Sequence, residues 1–178
     1  ALFETVANVI QTQLPVVSES FGERHGRTLL KALQQQCDVH APKILDRFRE
    51  KHSVVAAVQE IQAYHSVGTR HVKPPPGVSK PPIVDVEEIL DGMAALSQRA
   101  ELYHRFVDAK VAQMGEGSWM GESALDRAMH ALLDQYVIME HYFMEESVAK
   151  AVGLSVGDEG QLVDHVFFLL RRCLNRSL

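Results

Sequence analysis

Cysteine is almost missing from these 178 residues: only Cys37 and Cys173 occur, far apart and without any Cys-x-x-Cys spacing. Neither a disulfide framework nor a thiolate metal site is encoded, and the scarcity suits a reducing compartment. Long apolar runs are missing as well. The most apolar short stretch, Val166-Phe167-Phe168-Leu169-Leu170, stops at Arg171 and Arg172, well short of the roughly 18 residues that read as a membrane span. There is no excess of basic charge. The formal net charge is -5 and the sequence pI about 6.0, which argues against a nucleic-acid-binding footprint. No alternating stretch with hairpin turn chemistry is present, so a sheet is not expected.

What charge there is has a pattern. Residues 1–65 are neutral, 66–84 carry Arg70, Lys73 and Lys80 for +3, and 85–178 sum to -8. Proline is scarce except in one place, where Pro74-Pro75-Pro76 and Pro81-Pro82 hold five of the seven. Removing backbone donors and fixing φ makes that segment a linker or surface loop. The chain is therefore divided into an N-terminal helical segment, 1–65, a proline-rich linker, 66–84, and a C-terminal helical segment, 85–178.

The flanking segments have helical periodicity throughout. Leu2, Val6, Val9, Ile10 and Gln13 mark a first helix, with Pro15 as a kink or stop and Gly22 and Gly26 bracketing a turn. Leu30, Leu33, Cys37, Ala41, Ile44 and Phe48, then Val54, Val58, Ile61 and His65, mark a helix or kinked pair over 27–65, and Pro42 is expected to bend or break it. After the linker a heptad runs through Val86, Met93, Ala100, Val107 and Met114, with Ile89, Leu96, Tyr103 and Lys110 three residues on. Asp85 is placed to cap it. The stretch from Gly115 to Gly121 ends it, and Ser123 caps a helix whose stripe is Leu125, Met129, Leu132, Tyr136, Met139 and Phe143. Gly153 with Leu154 looks like a glycine C-cap. A last helix carries Leu162, Val163, Val166, Phe167, Leu170, Cys173 and Leu174. Of the glycines, only Gly92 falls inside a helical pattern. The fold class expected is all-α: an elongated bundle or rod of about six antiparallel helices with a proline-rich connector.

Chemistry is hard to place on this pattern. Glu101 and His104 have the Glu-x-x-His spacing of carboxylate-bridged bundles, but only one copy exists and the heptad turns both to the flanks. Glu140 with His141, and His130 with Asp134, offer two ligands at most, with no third partner recognisable. Nucleophile elbows and phosphate-binding glycine loops are absent. No catalytic, cofactor or metal site is expected, and the chain is not expected to be an enzyme. Trp119 is either a cap over helix ends or a contact residue. The methionines all follow residue 92 and read as core or as an adaptable groove. Phe167 and Phe168 cannot share one helix face, so one must meet another helix or a partner. Gly153, Gly157 and Gly160, between two apolar helices, form a hinge in this reading.

Several blocks occur in a telling order: Leu2-Phe3-Glu4, Pro15-Val16-Val17, Phe21-Gly22, Cys37-Asp38, Ile44-Leu45-Asp46-Arg47-Phe48, Glu101-Leu102-Tyr103-His104-Arg105-Phe106, Tyr136-Val137-Ile138-Met139-Glu140-His141-Tyr142-Phe143-Met144, Gly160-Gln161-Leu162-Val163-Asp164-His165-Val166-Phe167 and Arg172-Cys173-Leu174-Asn175-Arg176. They resemble the central portion of the subunit-4 family of the conserved oligomeric Golgi complex, a multisubunit tether. The resemblance implies a helical rod without catalytic residues, part of a longer subunit that captures vesicles in retrograde intra-Golgi traffic. It also implies a peripheral place on the cytoplasmic face of the Golgi membrane, and sister subunits and SNARE-class fusion proteins as partners. Two other readings compete: a ferritin-like metal-binding bundle built on Glu101 and His104, and an adaptor taking a peptide helix along the Met-rich acidic half, where Glu145 and Glu146 would be contact charges.

Overall fold

The structure is a computed structural model, and it describes residues 2–68, 80–115, 123–154 and 159–177. Six helices follow one another: α1 (Leu2–Phe21), α2 (Glu23–Lys51), α3 (Val54–Gly68), α4 (Ile83–Gln113), α5 (Ala124–Leu154) and α6 (Glu159–Ser177). There is no strand among the described residues, so the all-α class and the helix count hold. Most of the proline-rich segment and of the Gly115 to Gly121 turn, Trp119 included, lies outside the described residues.

Proline punctuates this chain less than its chemistry suggests. Pro15 lies inside α1 and Pro42 inside α2, and neither ends its helix. Leu30, Gln34, Cys37, Ala41 and Leu45 are buried in one continuous face of α2 on both sides of Pro42. Tertiary burial of that face outweighs the ~3 kcal/mol a mid-helix proline costs. The 27–65 stretch breaks instead at His52 and Ser53, where Ser53 has φ 49. There the Ser53 N–H bonds the Glu50 carbonyl at 3.1 Å and the Ser53 carbonyl accepts the Ala57 N–H at 3.0 Å, opening α3.

The glycines also redistribute. Gly22, at φ 88, ends α1, its N–H bonded to the Ser18 carbonyl at 2.9 Å. Gly26 is not in the turn at all but buried in α2, where a Cβ would stand 2.3 Å from Ser18 Oγ and 3.3 Å from Leu14 Cδ1 of α1. It is the residue that lets these two helices approach. Gly26→Ala is expected to be nearly neutral, since Ser18 can rotate away and alanine favours helix by up to ~1 kcal/mol. Gly26→Leu should destabilise by about 1–3 kcal/mol through overpacking. Urea denaturation of both variants checks the pair.

The start of α4 precedes Asp85, because the Pro82 carbonyl already accepts the Val86 N–H at 3.2 Å. Asp85 is therefore an exposed first-turn acid acting on the helix dipole rather than the cap. At the other end Gly115, at φ 73, donates to the Ala112 carbonyl at 3.1 Å. Ser123 does cap α5: its Oγ accepts the Asp126 N–H at 3.0 Å while Asp126 Oδ2 accepts the Ser123 N–H at 2.8 Å, a reciprocal capping box.

The residues cluster into two compact units, each drawing on both sides of the proline-rich segment. The first, Ala1–Phe48 with Leu96–Ala131, buries Ile10, Leu30, Cys37, Val107 and Leu125. A polar thread crosses this core. Tyr103 donates to Gln34 Oε1 at 2.8 Å, the Gln34 amide donates to Asp38 Oδ1 at 3.2 Å, and the same oxygen accepts the Leu125 N–H at 3.3 Å, anchoring the first turn of α5. The second unit, Arg49–Ala95 with Leu132–Leu178, packs Val54, Ile61, Leu90, Met93, Leu132, Met139 and Tyr142.

Candidate interaction surface

Within the second unit α6 is amphipathic, yet most of its apolar side chains are not in a core. Val163, Phe167, Leu170 and Leu174 recur at steps of four, three and four, which places them on one face. All four are exposed, Phe167 by 67% and Leu174 by 61%. Cys173 is its one buried apolar residue among those described. The spacing placed these residues on one helix and left one of Phe167 and Phe168 to another helix or a partner; both side chains are exposed. Phe168 is exposed too, and points off the stripe into an open groove of about 260 Å³ that it shares with Leu169, Ile83 and Phe143.

A different chemistry holds α6 in place. The side chain of Arg176 is only 6% exposed. Its Nη2 donates to Glu140 Oε1 of α5 at 2.9 Å and its Nη1 to Asp91 Oδ1 of α4 at 3.3 Å, with Glu87 Oε1 at 3.9 Å. The guanidinium also lies 4.5 Å from the centroid of the Phe143 ring, and Nη2 meets Cys173 Sγ at 3.6 Å. Burial works against the charge on Arg176, but Glu140 and the hydrogen bonds that Arg176 donates to Cys173 and Asp91 outweigh it and raise its pKa. Burial pushes the neighbouring Cys173 thiol up to about 11, with Glu140 adding to the effect. Arg172 forms an outer pair with Glu87 at 2.9 Å. One cation thus clamps α6 to α4 and α5, leaving the apolar stripe facing outward. Spacing within a single helix could not reveal this, because the three acids come from two other helices.

Glu101, His104 and Glu140 are held by other side chains. Glu101 pairs with Arg105 at 2.9 Å, and His104 Nε2 lies 3.1 Å from Asp126 Oδ1, which removes the ferritin-like pairing. Glu140 turns to Arg176, and His141 lies 3.6 Å from Glu145. His130 and Asp134 are exposed on α5. The peptide-groove reading loses its groove: Met93, Met129 and Met139 are core residues, and Glu146 is buried and paired with Lys80. Of the three hinge glycines, Gly153 lies in the last turn of α5 and Gly160 in the first turn of α6, while Gly157 lies outside the described residues. None of the six helices is long and apolar enough to cross a membrane, over the described residues.

Comparison with known proteins adds a second line of observation. Residues 1–178 match the family model described as COG4 transport protein, middle alpha-helical bundle. Proteins named conserved oligomeric Golgi complex subunit 4 are similar over nearly the whole chain. The Homo sapiens relative is 31% identical over 99% of the chain and 24% of its own length. The Drosophila melanogaster relative is 27% identical over 100% and 28%, and the Arabidopsis thaliana relative 24% identical over 99% and 25%. The chain thus spans about a quarter of the length of these relatives. No solved structure matches it.

Proposed function

The chain belongs to the COG4 transport protein family, middle α-helical bundle, and from that premise we propose that it is a non-catalytic segment of a Golgi vesicle-tethering subunit. The match running unbroken over residues 1–178 is the observation that carries this reading. Its work is mechanical and associative: to present helix faces to sister subunits of the tethering complex and, through the whole subunit, to SNARE-class fusion proteins in retrograde intra-Golgi transport. It acts from the cytoplasmic face of the Golgi membrane as a peripheral component. The outward stripe of α6 supports the reading, because an amphipathic helix held by its polar side leaves its apolar side for another helix of the assembly. Gly153, Gly157 and Gly160 serve in this reading as the joint that sets the direction of α6 after α5.

The test uses the full-length protein in cell extract. The unaltered protein is expected to co-purify with sister subunits of the Golgi tether, and recovery as a clean monomer overturns the tethering reading. The double substitution Phe167→Asp with Leu174→Asp is expected to reduce that recovery about tenfold or more, an effect of the ~2 kcal/mol or more that removing buried aromatic and aliphatic anchors has at interfaces. Helicity and melting temperature should stay within the small changes typical of surface positions. Undiminished recovery with both aspartates in place removes α6 from the contact while leaving the tethering reading standing.

A further inference from the structure

The second unit brings together three side chains that the spacing within a single helix does not link. His141 and Glu145 stand one turn apart on α5, and His65 reaches them from the last turns of α3. His65 Nε2 lies 3.1 Å from Glu145 Oε2, and His141 Nε2 lies 3.6 Å from Glu145 Oε1. The two imidazoles meet edge to face with centroids 5.9 Å apart. Among the described residues this is the one group of three whose donor atoms all fall within 4.8 Å of one another.

We propose that His65, His141 and Glu145 form a divalent transition-metal site, with Zn²⁺ as the ion the donor set fits best, stapling the end of α3 to α5. The geometry carries the argument. Zinc bonds to imidazole nitrogen and carboxylate oxygen are about 2.0–2.2 Å, so a tetrahedron of such ligands has edges of about 3.4 Å. The two N···O distances, 3.1 Å to Glu145 Oε2 and 3.6 Å to Glu145 Oε1, lie close to that length but end on the two oxygens of one carboxylate. A small rotation of the exposed Glu145 carboxylate and of an imidazole brings one oxygen to both nitrogens, from donor atoms that already fall within 4.8 Å of one another. Two nitrogens and one carboxylate oxygen suit zinc over calcium or magnesium, which take all-oxygen shells. The fourth position is left to water. Solvent reaches the group, since His141 and Glu145 are exposed and His65 half-buried, so the ion has an entry path.

The position gives the site a consequence. The same stretch of α5 also holds the residues just before α4: Glu146 pairs with Lys80, and the Tyr142 hydroxyl donates to the Pro81 carbonyl at 2.6 Å. Residues 141–146 therefore grip both sides of the proline-rich segment, one through His65 and the other through Lys80 and Pro81. A metal ion would turn the first grip from a solvent-exposed pair, a weak contact, into a coordinate cross-link between two helices. This goes beyond the tethering reading and does not depend on it.

Chelator-treated, tag-free protein titrated with Zn²⁺ by calorimetry is expected to take up one equivalent. Co²⁺ in its place should give the intense visible absorption of a tetrahedral ion. Zn²⁺ should also slow amide exchange at the C-terminal end of α3. His141→Ala and Glu145→Gln are each expected to weaken Zn²⁺ binding by about tenfold or more, the loss that removing even an outer hydrogen-bond partner of a ligand causes. His130→Ala, on the same helix but outside the group, should leave it unchanged. Both test positions are exposed, so circular dichroism should show the helicity preserved. Absence of stoichiometric uptake, a weak octahedral Co²⁺ spectrum, or equal affinity in His141→Ala and the unaltered protein overturns the proposal.

Discussion

Arg176→Met is expected to destabilise the second unit by about 3–5 kcal/mol, the loss seen when one partner of a buried ion pair is removed and the other is stranded. The group left behind decides the magnitude. Glu140 is itself largely buried, with a side chain only 12% exposed, and its second oxygen already has no hydrogen-bond partner. Methionine keeps the aliphatic contact with Phe143 and removes the charge, so the variant isolates electrostatics from packing. Arg172→Met is the internal comparison: that guanidinium is 43% exposed and pairs with Glu87 at the rim, where such pairs contribute about 0–1 kcal/mol. Combining Arg176→Met with Glu140→Gln should cost less than the sum of the two, because the second change neutralises the stranded carboxylate. Denaturant unfolding gives the global value, and amide exchange along α6 tells whether the helix lifts off alone. Equal and small effects of Arg172→Met and Arg176→Met would mean that α6 is held by something other than this clamp.

The same helix shows where sequence reasoning reaches and where it stops. Periodicity located α6, and the steps of Val163, Phe167, Leu170 and Leu174 put them on one face, because spacing is a local property that a helix converts directly into direction. Which face meets the core is not local. It is decided by Arg176 finding acids on α4 and α5, and no window along α6 contains that fact. Pro42 and Gly26 fail for the same reason. Intrinsic preference points the other way at both positions, and tertiary context prevails: a continuous buried stripe carries α2 through Pro42, and the close approach of α1 favours a small residue at Gly26 inside the helix. Ser123 was legible because its partner, Asp126, lies within the same turn. The metal group was half legible. His141 and Glu145 share a helix face, but His65 belongs to another helix on the far side of the proline-rich segment.

Tyr142→Ala should cost the second unit about 3–5 kcal/mol, in the range for truncating a fully buried aromatic side chain. Tyr142 is among the largest side chains with no exposed surface, and it packs edge-on against Tyr64 with centroids 6.0 Å apart. Its hydroxyl adds a separate contribution. Tyr142→Phe keeps the ring and removes only the bond to the Pro81 carbonyl, which should cost about 1 kcal/mol and loosen the hold on the residues preceding α4. The two variants also differ at high pH. Burial, then Glu146 and Tyr64, push the Tyr142 phenol from 10.0 up to about 12. A group raised in the folded state contributes its full stability below the unfolded value, here pH 10, and loses it as pH climbs towards 12. Tyr64, also raised by burial and by Glu146, and Lys80, raised by its bond to Glu146, face the same spot, and His65 lies beside the ring at 5.9 Å. The alkaline limb of the unaltered protein is therefore a sum, and the difference between it and Tyr142→Phe isolates one phenol. Thermal melts at intervals from pH 9 to 12 should show the gap between the two proteins narrowing as pH rises. A gap that stays constant would mean that the phenol is already solvated in the folded state and that the Pro81 bond is not formed.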